Sequence, residues 1–123
     1  MTQEQKELLL KDLCGRLPYD VFVNINDIKC VLQPHDISDL IKCDTDIKPY
    51  LLPLSSMTEE IMDEIYNNTG VYDIDIDSPV HIEVGTTFED LTKIFDILHK
   101  YHIDYRSLIE KGLALDATGK NIY

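Results

Sequence analysis

Asp73, Asp75 and Asp77 alternate with Ile74 and Ile76, and that spacing is the first place to look for chemistry. Three acids at every second position match the first three ligands of an EF-hand calcium loop. The rest of the loop is wrong for calcium. Its sixth position is Ser78 where glycine is needed, its seventh is the rigid Pro79, and its twelfth is Val84 where a bidentate glutamate is needed. Alternating isoleucines favour a strand instead, and a strand puts the three carboxylates on one face about 6.5–7 Å apart. Such a row binds a hard cation weakly, or imitates the charge of a nucleic-acid strand toward a basic protein groove. A metal-binding domain built on it would use Asp73, Asp75 and Asp77, with His81 nearby.

The row belongs to a longer acidic block. No Lys or Arg occurs between Lys48 and Lys93, and the interval holds ten acids: Glu59, Glu60, Asp63, Glu64, Asp73, Asp75, Asp77, Glu83, Glu89 and Asp90. Of these, Glu59, Glu60, Asp63, Glu64, Asp73, Asp75, Asp77 and Glu83 are the candidate partner-binding residues. The plainer explanation is the solvated face of a helix and of an exposed strand, and it stands beside the first.

Catalytic patterns are missing. His99 and His102 lie three apart at helical spacing, but two imidazoles fall short of a zinc set, and no Cys or acid stands at a zinc-motif distance. A packed or capping histidine explains His102 better. His35 and His81 join no pattern. There is no Gly-x-Ser-x-Gly, no Ser-x-x-Lys, no dinucleotide glycine motif and no phosphate loop. Paired carboxylates carry little information in so acidic a chain. The sequence therefore nominates no catalytic residue, no metal-ligand set and no cofactor, and the expectation is a protein that is not an enzyme.

The chain has 123 residues with 23 acids against 11 bases, a net charge of −12. That balance repels nucleic-acid backbones and anionic membranes, and suits basic protein surfaces. No apolar run approaches the roughly 18 residues of a membrane span. The first residues are polar and acidic, unlike a secretory signal, so the expected compartment is the cytosol. Cys14, Cys30 and Cys43 are odd in number and widely spaced, which argues against a disulfide framework.

The length suits a single domain over 1–123, with an apolar share of 44% to build its core. Thr2 and Gln5 form a capping box, Leu9, Leu10 and Leu13 give an apolar stripe, and Gly15 is a stop signal, so helix is expected over 3–14. Val21, Val23 and Ile25 alternate up to the turn pair Asn26-Asp27. Strands are then expected at 28–33, stopped by Pro34-His35-Asp36, at 40–43, and at 47–52, where Pro49 and Pro53 suggest an edge or an irregular strand. Together they read as a small antiparallel meander. Ser56 or Thr58 opens a second helix, which ends at Asn67 to Gly70. A hairpin is expected over 71–84. Thr86 with Glu89 opens a core helix over 87–101 carrying Phe88, Leu91, Phe95 and Leu98. Residues 104–111 read as a short closing helix ended by Gly112. Past Asp116 only Tyr123 promises packing. The fold class is α+β.

Three strings carry a resemblance: Lys6 to Tyr19 (KELLLKDLCGRLPY), Asp46 to Glu60 (DIKPYLLPLSSMTEE) and Asp104 to Asp116 (DYRSLIEKGLALD). Together they resemble a group of short uncharacterised proteins common in gut Bacteroidetes, their prophages and other mobile elements. The resemblance covers about a third of the chain and implies an intracellular protein of phage or mobile-element style. It brings no activity and no site residues, and the acidic 71–84 segment lies outside it. Within the third string, Tyr105 and Arg106 have the chemistry of a surface anchor. The alternative is a C-terminal segment that closes the core with Leu108, Ile109 and Leu113.

The function expected is a non-enzymatic acidic module that binds a protein with a basic surface. Its sharper form is a phage or mobile-element inhibitor that mimics DNA. Direct nucleic-acid or membrane binding is not expected. The alternatives are the metal-binding domain on the aspartate row and a structural or assembly protein, including a homo-oligomer.

Overall fold

The structure is a computed structural model and describes residues 1–43, 45–70 and 88–123. Helix α1 (Gln3–Arg16) opens on the expected box: Thr2 Oγ1 accepts from Gln5 N at 3.1 Å, and Gln5 Oε1 accepts from Thr2 N at 2.9 Å. It does not stop at Gly15. A Cβ there would lie 2.7 Å from His99 Cε1, so this glycine serves a close approach between helices instead of a C-cap.

A 3-10 turn (Leu17–Tyr19) leads to strands β1 (Phe22–Ile25) and β2 (Ile28–Val31), an antiparallel hairpin pairing Ile25 with Ile28. Asn26 and Asp27 both have positive φ (50° and 69°), the type I′ geometry that suits a two-residue hairpin loop.

Residues 34–43 do not hold the strand expected at 40–43. They form helix α2 (Pro34–Cys43). Pro34 occupies the first helical position, where its missing N–H costs nothing, and Asp36 Oδ2 accepts from Gln33 N at 2.8 Å. Ile37, Leu40 and Ile41 then recur at helical spacing, and Leu40 is fully buried.

Strand β3 (Ile47–Pro53) has three partner strands, yet at Pro49 it pairs on the β1 side alone. It pairs antiparallel with β1 through Ile47 to Pro49, and parallel with both β4 (Ile103–Asp104) and β5 (Leu115–Asp116) through its second half. The sheet is mixed, so the expected meander is replaced by a hairpin plus crossovers. Asn26 N donates to Asp46 O, so the even-numbered residues of β3 face β1. Pro49 therefore turns its missing N–H away from that ladder, which is how a proline is tolerated here.

A second 3-10 turn (Leu54–Ser56) leads to helix α3 (Glu59–Thr69). Thr58, of the two candidate caps, does the capping: its Oγ1 accepts from Ile61 N at 3.3 Å. Gly70 closes α3 at φ 75°. The expected hairpin at 71–84 and the Thr86 cap lie outside the described residues. Helix α4 (Phe88–Lys100) follows, close to its expected bounds.

The expected closing helix at 104–111 is a turn. Ser107, at φ 57°, breaks the helical run, and the Asp104 carboxylate gathers the turn by accepting from Leu108 N and Ile109 N at 2.9 and 3.0 Å. Gly112, at φ 74°, reverses the chain toward β5.

The α+β class is thus observed. One apolar cluster joins α1, β1, α2 and β3 to Leu108, Leu113 and Ala114, while a second joins α3 and α4 to Ile103 and Tyr105. Tyr123 does pack: its hydroxyl accepts from Phe22 N at 2.9 Å and donates to Tyr50 O at 2.8 Å, fixing the tail on the sheet. The three cysteines are free. Among the described residues no helix is long and apolar enough to cross a membrane.

Candidate functional site

Helix α3 carries four of the sequence-nominated acids. Glu59 and Glu60 in its first turn and Asp63 one turn on are exposed, and no base lies on the helix. The first-turn pair also complements the positive end of the helix dipole. Glu64 differs from them. Lys100 of α4 donates to it at 2.8 Å, and that hydrogen bond holds its carboxyl below the usual range. The two helices run antiparallel, since Glu64 meets Lys100 while Asn68 shares a groove with Lys93 and Asp96. Glu89 and Asp90, in the first turn of α4, therefore lie toward the far end of α3 from Glu59 and Glu60. The block without bases in sequence is flanked by bases in space: Lys93 reaches Glu89 at 3.6 Å. Asp73, Asp75, Asp77 and Glu83 lie outside the described residues, so the structure joins none of them to the α3 acids.

A second polar constellation is buried, and sequence reading did not nominate it. Asp12 and Arg16 sit one turn apart on α1, both fully buried, with Arg16 Nε donating to Asp12 Oδ2 at 2.7 Å. Arg16 Nη2 donates to the Ile103 carbonyl at 2.6 Å, tying α1 to β4. Arg106 approaches the other carboxylate oxygen, Nε to Oδ1 3.4 Å. Both guanidiniums lie over the Tyr105 ring, at 5.5 and 5.1 Å from its centre. Arg106 Nη2 donates to the Tyr105 hydroxyl at 3.3 Å, and that hydroxyl shares a hydrogen bond of 2.6 Å with His99 Nε2.

Burial sets the charge states. It lowers His99 to about 4, with the positive charges of Arg16 and Arg106 adding to the effect and Asp96 opposing it. It also lowers His102 to about 4, with Arg16 adding and Asp20 opposing. The Tyr105 phenol is raised, again chiefly by burial. His102 stacks on the Tyr123 ring at 3.6 Å. Near neutral pH the cluster therefore holds neutral imidazoles and an undissociated phenol.

The cluster adjoins a cleft of about 320 Å³ lined by Pro53, Leu54, Ser55, Asp104, Ser107, Ile109 and Glu110. Every lining residue falls in the string 46–60 or the string 104–116. The third string, 6–19, supplies Asp12 and Arg16, which hold the backbone at Ile103 and the side chain of Arg106. All three strings behind the sequence resemblance thus meet at one place in the fold. Tyr105 is buried and Arg106 half-buried, so Tyr105 belongs to the interior and is no surface anchor. Sequence offered one signal for the cluster, the i,i+4 pair Asp12–Arg16, but that pattern is commonest on exposed helix faces.

No protein-family profile, curated protein or solved structure matches the chain. Among the described residues no group of three or more His, Cys, Asp or Glu is placed to hold a metal ion.

Proposed function

We propose that the chain is a non-enzymatic protein-binding module that presents its acidic side, centred on α3, to a basic protein surface of the kind that otherwise handles nucleic acid. The observation that carries this is the outer face of α3, where Glu59, Glu60 and Asp63 stand exposed on a helix with no base of its own. The net charge of −12 supports it, since a field of that sign steers the protein toward cationic partners and away from phosphate backbones. Asp73, Asp75, Asp77 and Glu83 extend the same charge in sequence. A role for a phage or other mobile element, as inhibitor or modulator, is the biological setting that the three strings favour.

The test is capture of the partner from nuclease-treated host lysate at low and moderate salt, followed by displacement with duplex DNA. A partner that is released by salt and by DNA, and lost in the Glu59→Gln/Glu60→Gln/Asp63→Asn variant or in the Asp73→Asn/Asp75→Asn/Asp77→Asn variant, supports the proposal. Binding indifferent to salt and to both variants sinks it.

A further inference from the structure

We propose that the cleft between Pro53–Ser55 and Asp104–Glu110 is an anchor pocket for one basic side chain of the partner, arginine in first place. This rests on the protein-binding reading above and adds to it a location and a chemistry. The cleft, about 320 Å³, lies at the small end of ligand pockets, a scale for a side chain more than for a cofactor. Leu54 and Ile109 give it apolar walls, Asp104 and Glu110 bring carboxylates, Ser55 and Ser107 bring hydroxyls, and among the described residues no base lines it.

That mixture matches arginine. A long apolar stem packs along the walls while a planar donor fork meets carboxylate and hydroxyl oxygens. Asp104 is 5% exposed and held by two backbone amides, so its position is fixed before anything binds. An ionised carboxylate has about four acceptor sites, so two amides do not exhaust it. Ser107 lines the cleft from a left-handed backbone, φ 57°, a conformation unfavourable for a residue with a Cβ. Strain of this kind gathers at binding sites. Lys111, next to Glu110 in sequence, donates to the Arg106 carbonyl at 3.2 Å. Ser55 also lies only a few residues before Glu59 and Glu60, so the pocket adjoins the acidic start of α3.

The experiment is an amide NMR titration of the ¹⁵N-labelled protein with three capped tripeptides, Gly-Arg-Gly, Gly-Lys-Gly and Gly-norleucine-Gly. The expected result is saturable shifts at Ser55 and at 107–110 with the arginine peptide, at the weak, about millimolar affinity of a single side chain. Lysine should bind less tightly and norleucine should give no saturable shift. Glu110→Gln, an exposed change checked by an unchanged Tm, should weaken the arginine peptide about tenfold, the worth of one charge-assisted contact. No saturable shift at these amides, equal shifts with norleucine, or shifts confined to α3 would overturn the pocket. The α3 proposal would survive each of those outcomes, because its own test reads salt and α3 variants.

Discussion

Lowering the pH from 7 to 5 should strip this protein of about 4 kcal/mol of stability through His99 and His102 alone. Both are buried in the fold, 8% and 9% exposed, and both are held near 4 in place of the ordinary 6.5. Released from the fold, each imidazole returns to about 6.5. Between those values the unfolded chain takes up protons that the native chain refuses, so stability falls as the pH falls. Nothing is lost above about pH 7, and the whole penalty is in place below about pH 4. Integrating the linkage relation from pH 7 to pH 5 gives about 2 kcal/mol for each histidine. The full excursion is worth about 3 kcal/mol for each. The ordinary carboxylate range lies mostly below the window from 7 to 5. Urea unfolding at pH 7, 6 and 5 measures the slope. The His99→Gln/His102→Gln variant should start less stable but lose most of that slope. A wild-type loss under about 1 kcal/mol, or an equal slope in the variant, would refute the buried neutral assignment.

Three further outcomes follow from the packing. Gly15→Ala should lower stability by about 1–3 kcal/mol through overpacking, because its Cβ would meet His99 Cε1 at 2.7 Å; a rise in Tm, as helix propensity alone would give, would contradict the close approach. Arg16→Ala strands the Asp12 carboxylate in the interior and should cost about 3–5 kcal/mol, while Asp12→Leu/Arg16→Met should recover much of it; urea unfolding of the single and double variants measures the difference. Tyr123→Phe removes a hydroxyl that serves both Phe22 N and Tyr50 O, so Tm should fall by the equivalent of about 1–3 kcal/mol.

Features that depend on neighbouring residues were legible in the sequence. The Thr2 box, the Asn26-Asp27 hairpin turn and the Gly70 stop each rest on atoms within a few residues. Misreadings arose where one residue type serves two purposes. Pro34 follows a strand and looks like its end, yet proline is equally at home in the first turn of a helix, and Ile37, Leu40 and Ile41 were the deciding spacing. Gly15 looks like a C-cap, but its role is set by His99, 84 residues further along. The string from Leu108 to Lys111 has helical composition, and only the Asp104 side chain and the Ser107 backbone angle turn it aside.

The same distinction explains why charge was readable and the site was not. An excess of acids is a property of composition, and it survives any arrangement in space. Which acids are exposed is not: Lys100 lies 36 residues from Glu64 in sequence, yet it withdraws that acid from the block. The buried pair is a stronger case. Asp12 and Arg16 form an i,i+4 pair of the sort that ordinarily decorates a helix surface. They become interior because the Ile103 carbonyl, 87 residues away, takes one guanidinium donor, and Arg106 approaches the remaining carboxylate oxygen. An apolar pair of similar volume would fill the space at less electrostatic cost, but could not direct that carbonyl or that guanidinium. The consequence is positional. The chain from 103 to 110, whose carboxylates and hydroxyl form half of the cleft, is registered against α1 by one directed hydrogen bond, Arg16 to the Ile103 carbonyl, and by the Asp12–Arg106 ion pair.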